Sequence, residues 1–172
     1  MQARVKCVWM TGLSGAGKST LAASMRKELE GQGIRVCVLD GDILRSGLNS
    51  DLGMSDEDRT ENIRRMAHVA KILSDCGILV IVAAISPFLK DRFAARSLFD
   101  SGDFIEVHVS TPIFECERRD VKGLYRKARS GEIAGFTGID SPYEPPVCPD
   151  VVINTEHCSV ADAVGELLGS VL

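Results

Sequence analysis

Apolar, β-branched runs recur along the chain at Val5–Met10, Arg35–Leu39, Ile78–Ile85, Phe104–Val109 and Val151–Ile153. Between them, apolar residues fall at helical spacing over Lys18–Glu30, Asp58–Cys76, Leu89–Phe99, Ile113–Arg119 and Ser159–Leu172. The strand runs are continuous rather than alternating, which means burial on both faces and predicts a parallel sheet covered by helices. Gly31 and Gly33 stand where the first helix should end, and Ser159 followed by Asp162 reads as the cap of the last one. The segment from Arg118 to Pro149 differs in character, being rich in charge, glycine and proline. It suits an ordered but mobile lid and substrate loop. Repeats, low-complexity tracts and linkers are absent, so residues 1–172 are expected to form one α/β domain.

Composition narrows the class. Hydrophobic content of 45% and charged content of 26% are those of an ordinary globule. A net charge of −4 provides no global basic field, which argues against a general nucleic-acid binder. The longest apolar run, Ile78–Ile85, is too short to span a bilayer, and the N-terminus lacks a signal-peptide profile. The six cysteines show no C-x-x-C pair and no metal-ligand spacing. A reduced, cytoplasmic setting is the expectation.

Chemistry enters at Gly12-Leu13-Ser14-Gly15-Ala16-Gly17-Lys18-Ser19, which fits the P-loop pattern G-x-x-x-x-G-K-[ST]. An apolar strand precedes it, and a helix begins at Lys18-Ser19-Thr20. Glycines allow backbone N–H groups to close around phosphates, and the helix dipole adds positive potential at the same spot. Lys18 is placed to reach the β- and γ-phosphates, and the Ser19 hydroxyl to hold Mg²⁺. The pattern therefore implies ATP or a similar triphosphate. It also requires the first strand to be central, hence a three-layer P-loop fold with a five-stranded parallel sheet in the order 2-3-1-4-5.

The second strand ends in Asp40-Gly41-Asp42. Carboxylates at the C-terminal edge of a parallel strand project into the ligand crevice. Phosphoryl transfer to a hydroxyl needs one carboxylate to accept a proton and others to organise the metal. Asp42 is assigned the base role and Asp40 the metal's water shell, although Asp-Gly pairs also mark plain turns. Arginines and lysines cluster locally: Arg59, Lys122 and one of Arg118 and Arg119 are expected to meet phosphate or sulfate oxygens, while Arg64, Arg126 and Arg129 read as solvated charges. No aspartate occupies the usual Walker B place; the third strand runs instead into Ser86-Pro87-Phe88. Ser86 would lie beside the phosphates, cap the following helix, or both.

Taken in order, these blocks resemble the adenylylsulfate (APS) kinase family. The resemblance rests on the P-loop, Leu39-Asp40-Gly41-Asp42, Arg45-x-Gly47-Leu48, Asp51-Leu52-Gly53 and Asp58-Arg59-x-Glu61-Asn62-Ile63-Arg64-Arg65. It continues through Ile85-Ser86-Pro87, Arg119-Asp120-Val121-Lys122-Gly123-Leu124-Tyr125 and Phe136-Thr137-Gly138-Ile139-Asp140, and so covers nearly the whole chain. It implies phosphorylation of adenosine 5′-phosphosulfate by ATP with Mg²⁺, giving 3′-phosphoadenylylsulfate, in a cytoplasmic homodimer. By the same resemblance Asp40, Asp42, Arg59 and Asn62 line the APS pocket, and Ile85 and Ser86 contact the substrate. Lys122, Gly135 and Phe136 close over it, with adenine stacked on Phe136. Gly12, Ser14, Gly15, Ala16, Gly17, Lys18, Ser19, Thr20 and Arg118 fall to ATP, and Ser19 with Asp40 to the metal. The family pattern also brings a phosphoserine at the position of Ser86, but P-loop, Mg²⁺ and a base suffice for direct in-line transfer, which is the mechanism expected.

The chain departs from the family at Met54, where phenylalanine is usual. Met54 either packs on the adenine through its sulfur or is an ordinary core methionine. It keeps open a relative acting on another nucleotide-like acceptor. A non-catalytic nucleotide switch fits poorly, since an N-K-x-D segment is absent and the Asp40/Asp42 pair and basic lid would have no task.

Overall fold

A computed structural model describes residues 5–172. The first apolar run forms β1 (Cys7–Thr11), every residue of which is buried. It pairs in parallel with β3 (Leu79–Ala83) on one side and β4 (Phe104–Val109) on the other. Outside these lie β2 (Val36–Asp40) and the short β5 (Val151–Ile153), giving the expected all-parallel order β2-β3-β1-β4-β5.

Successive side chains of β1 point to opposite faces, as strand pleating requires. Val8 and Met10 pack with α1 (Lys18–Gly31) and α7 (Val160–Val171), through Leu21, Met25, Leu29, Val164 and Leu167. Cys7 and Trp9 face α3 (Asp56–Asp75) and α4 (Leu89–Arg96), meeting Ile63, Met66, Ala70 and Ala95. Two helical layers thus enclose the sheet. Among the described residues, no helix is long and apolar enough to cross a membrane.

Several local expectations need correction. Gly31 is the last helical residue of α1 and does not cap it; the left-handed position is Gly33, at φ +79°. The Ile34 N–H then closes back on the Leu29 carbonyl at 3.0 Å. Ser86 does not cap α4 either. That helix begins three residues later, and the Leu89 N–H donates to Glu144 Oε2 at 2.6 Å. Ser159 does cap α7, accepting from the Asp162 N–H at 3.1 Å.

Two short helices were not anticipated. Asp40-Gly41-Asp42 is no mere turn, because the Asp40 carboxylate caps α2 (Gly41–Arg45) by accepting from the Asp42 N–H at 2.9 Å. Within the expected lid, α5 (Ile113–Arg119) is followed by α6 (Leu124–Arg129), whose first amides donate to the Asp120 carboxylate.

Candidate active site

The P-loop is shaped by contact with the far half of the chain. Gly12, Gly15 and Gly17 sit at φ +149°, +74° and +110°, where L side chains are strained. A Cβ on Gly12 would also run into the Val109 carbonyl at the end of β4. Tyr125 of α6 donates its hydroxyl to the Ser14 carbonyl at 2.9 Å. The Lys18 ammonium folds over the loop, donating to Gly12 O at 2.8 Å and Leu13 O at 2.7 Å. Burial pulls its pKa down to about 8, since a desolvated ammonium is disfavoured. Ala16 is buried in the loop's wall, while Ser19 and Thr20 open α1 on its exposed side.

The carboxylates of Asp40 and Asp42 adjoin this loop. Ser19 Oγ donates to Asp40 Oδ2 at 2.6 Å, joining the start of α1 to the end of β2. Two residues on, Asp42 forms an ion pair with Lys122 from the α5–α6 connection. Sequence-expected Asp40, Asp42 and Lys122 therefore meet over the P-loop. Arg118 does not join them. Its side chain is 73% exposed and paired with Glu115 at 2.6 Å. Arg119, one turn position away, instead reaches Gly15 O at 3.4 Å and Thr155 Oγ1 at 2.8 Å. The two guanidiniums together hold the Glu115 carboxyl down at about 2.

Arg59 is the hub of the second wall. It is buried at the N-terminal turn of α3, where the Ser55 hydroxyl caps the helix through the Asp58 N–H. Its Nε donates to Met54 O at 3.0 Å, one guanidinium nitrogen serves Thr137 and Ser141, and the other meets the Gly135 carbonyl. Gly135 and Phe136 are fixed further by Asp140, whose carboxylate accepts both backbone N–H groups, at 2.7 and 2.6 Å. Those bonds keep the Asp140 carboxyl below the usual range. Phe136 packs edge-on against Tyr125, with ring centroids 4.9 Å apart. An open hollow of about 460 Å³ lies between Leu13 and residues 138–143 of the same loop.

Met54 is 60% exposed, so its reading as a core methionine is overturned. Asn62 lies buried one turn beyond Arg59, its Oδ1 accepting from Asn49 Nδ2 at 2.9 Å. Asn49 Oδ1 is itself buried without a partner.

The end of β3 holds Ile85 and Ser86 by different means. Thr11 Oγ1 donates to Ile85 O at 2.6 Å. Ser86 stands at φ +47°, is only 1% exposed, and accepts the Trp9 indole N–H on its hydroxyl at 3.0 Å. Its carbonyl is taken by the buried Arg92, whose Nε also pairs with Glu106 at 2.7 Å. Ser86 thus lies at the expected edge of the sheet, with its hydroxyl turned into the core. Trp9, Arg92 and Thr155 escaped the sequence reading, because the partners that give them a task lie far along the chain.

Among the described residues, no group of three or more histidines, cysteines or acids could hold a metal by itself. A single hydroxyl and a carboxylate beside a phosphate loop form the oxygen donor set that suits Mg²⁺, which keeps waters and binds largely through substrate phosphates.

Residues 4–154 match the family described as adenylylsulphate kinase. The chain is 60% identical over 152 residues to the adenylyl-sulfate kinase of Pseudomonas aeruginosa, covering 88% of this chain and 78% of that one. It is 54% identical over 160 residues to a probable adenylyl-sulfate kinase of Halalkalibacterium halodurans, covering 93% and 79%. Its fold superposes with a TM-score of 0.93 on Mycobacterium tuberculosis APS kinase in complex with AMPPNP and APS, at 51% identity and 97% coverage of both chains. With the P-loop, the paired aspartates and the Arg59 wall in one place, the chain belongs to the adenylylsulphate kinase family.

Proposed function

We propose that this chain transfers the γ-phosphoryl group of ATP to the 3′-hydroxyl of adenosine 5′-phosphosulfate, giving 3′-phosphoadenylylsulfate and ADP. The observation that carries the reading is the Ser19–Asp40 contact of 2.6 Å, which makes the nucleotide loop and the acceptor carboxylates one surface. In the proposed step the bond from phosphorus to the acceptor oxygen forms as the bond to the β–γ bridging oxygen breaks. The departing electron pair goes to ADP and the acceptor's proton to Asp42.

Lys18 leaves the Gly12 and Leu13 carbonyls to face the β- and γ-phosphates, and free backbone N–H groups of the loop, that of Gly17 among them, cradle them. Ser19 and Asp40 would hold Mg²⁺, which when bound neutralises developing charge on the transferred group. On the acceptor side, Arg59, Asn62, Ile85 and the loop of Gly135 and Phe136 form the pocket, and Lys122 exchanges Asp42 for the incoming substrate. A cytoplasmic setting accords with the free state of all six cysteines.

A coupled assay of ADP release tests the reading. Turnover is expected only with ATP, adenosine 5′-phosphosulfate and Mg²⁺ all present, and to stop on chelation by EDTA. Equal ADP release without the acceptor, or preference for another nucleotide acceptor, would overturn it.

A further inference from the structure

The carbonyl of Ala16 points out of the P-loop toward two threonines from distant parts of the chain. Thr155 Oγ1 lies 2.8 Å from it and Thr111 Oγ1 3.0 Å. The two hydroxyls also lie 2.8 Å from each other, so two protons serve three contacts. Thr155 Oγ1 accepts from Arg119 Nη1 at 2.8 Å, and Thr111 Oγ1 accepts from the Thr155 N–H at 3.2 Å. Because both hydroxyls also accept from N–H groups, their protons are left for one another and for the carbonyl, and whichever hydroxyl donates to its neighbour, at least one proton reaches Ala16 O.

A trans peptide carries its N–H antiparallel to its C=O. Pinning the Ala16 carbonyl outward therefore turns the Gly17 N–H inward, to the concave side of the loop. No protein acceptor meets that N–H among the described residues. Gly17 sits at φ +110°, and glycine gives this peptide plane little resistance to rotation by itself. Something outside the loop has to hold it, and the two hydroxyls are what the fold supplies.

We propose that Thr155 and Thr111 are positioning residues that preorganise the Gly17 N–H for the nucleotide phosphates. Arg119 acts one step further back. Its Nε pairs with Glu115 at 2.8 Å while its two other nitrogens grip Thr155 Oγ1 and, at 2.9 Å, Thr155 O. The inference rests on the reading of the P-loop as an ATP site and deepens it. It assigns work to the connection after β5, which no motif in the sequence marks.

The test is binding of AMPPNP and of adenosine 5′-phosphosulfate by calorimetry, with melting temperature, for wild type, Thr155→Ala, Thr155→Ser and Thr111→Ala/Thr155→Ala. Losing one such bond is expected to weaken AMPPNP binding by about three- to tenfold. The serine variant, which keeps the hydroxyl, should bind as wild type, and acceptor affinity should not move. In the wild type the Gly17 amide proton should shift downfield when AMPPNP binds, a readout that does not depend on any variant folding. AMPPNP affinity within twofold of wild type in the double variant, an equal loss of acceptor affinity, or a stationary Gly17 amide would each overturn the inference. Wild type that fails to bind AMPPNP would overturn the nucleotide reading itself and this inference with it.

Discussion

The indole N–H of Trp9, in the central strand, donates to the hydroxyl of Ser86 at 3.0 Å across the sheet's C-terminal edge. A hydroxyl so held, and 1% exposed, is engaged in structure rather than offered to the γ-phosphate. Ser86→Ala should therefore keep most of the phosphoryl transfer rate. It should lower stability by ~1–3 kcal/mol, since the buried indole N–H loses its acceptor. Incubation with labelled ATP alone should leave no label on the protein. Stoichiometric, kinetically competent labelling of Ser86 would restore a covalent route.

Lys18 provides a pH signature. Burial lowers its pKa to about 8 in the empty protein, against 10.5 ordinarily. Below pH 8 the ammonium is charged in folded and unfolded chains alike, and folding bears the full cost of burying it. As pH rises from about 8 toward 10.5 the folded chain sheds this proton first, so the cost, on the order of 3 kcal/mol, is progressively relieved. Stability of the wild type relative to Lys18→Ala should thus improve across that window. Polyphosphate restores the charge, so nucleotide binding at pH 8.5 should take up protons at Lys18, whereas at pH 6.5 Lys18 contributes none and wild type and Lys18→Ala should exchange the same number. Calorimetry in buffers of different ionisation heat reads this directly. Lys18→Ala should abolish the uptake and cost at least ~10²-fold in turnover.

Asp42 is presented on α2 and held by Lys122. Asp42→Asn retains shape and hydrogen-bonding capacity but cannot take the acceptor's proton. The expected result is a fall in kcat of ~10²-fold or more, with the acceptor KM changed by less than threefold. A rise in KM at constant kcat would move the base to Asp40.

Met54 lies on the surface, 60% exposed, with its carbonyl anchored by Arg59 and its side chain free to meet a ligand. Overpacking is therefore not a consequence of enlarging it. Met54→Phe should tighten binding of adenosine 5′-phosphosulfate by a few-fold to about tenfold, the value of ~0.5–1.5 kcal/mol for an aromatic pair. ATP affinity and melting temperature should stay unchanged. Unaltered acceptor affinity would remove Met54 from the pocket.

Sheet order was legible because a P-loop fixes β1 at the centre and continuous apolar runs fix parallel, doubly covered strands. The placement of Asp40 and Asp42 was legible for the same reason, since both follow the C-terminal end of a strand. The helices α2 and α6 were not, because at five and six residues their stability comes from the Asp40 and Asp120 carboxylates rather than from periodicity. Arg118 and Arg119 are neighbours of identical chemistry, and only the packing of α5 decides which turns to the loop. Trp9 reads as plain core until its N–H is seen to meet a residue 77 positions away.

The nucleotide loop is moulded against late parts of the chain. Its glycines are confined by Val109, Cys116 and Thr155, and the Ala16 carbonyl bonds to residues 95 and 139 positions downstream. During vectorial synthesis, then, the motif emerges from the ribosome before the segments it is moulded against and is finished only after them. It acquires its anion-binding shape only once the connection after β5 has been made and docked. A chain truncated before Thr155 would carry the complete P-loop motif in its sequence and lack the part of the cast that confines Gly17.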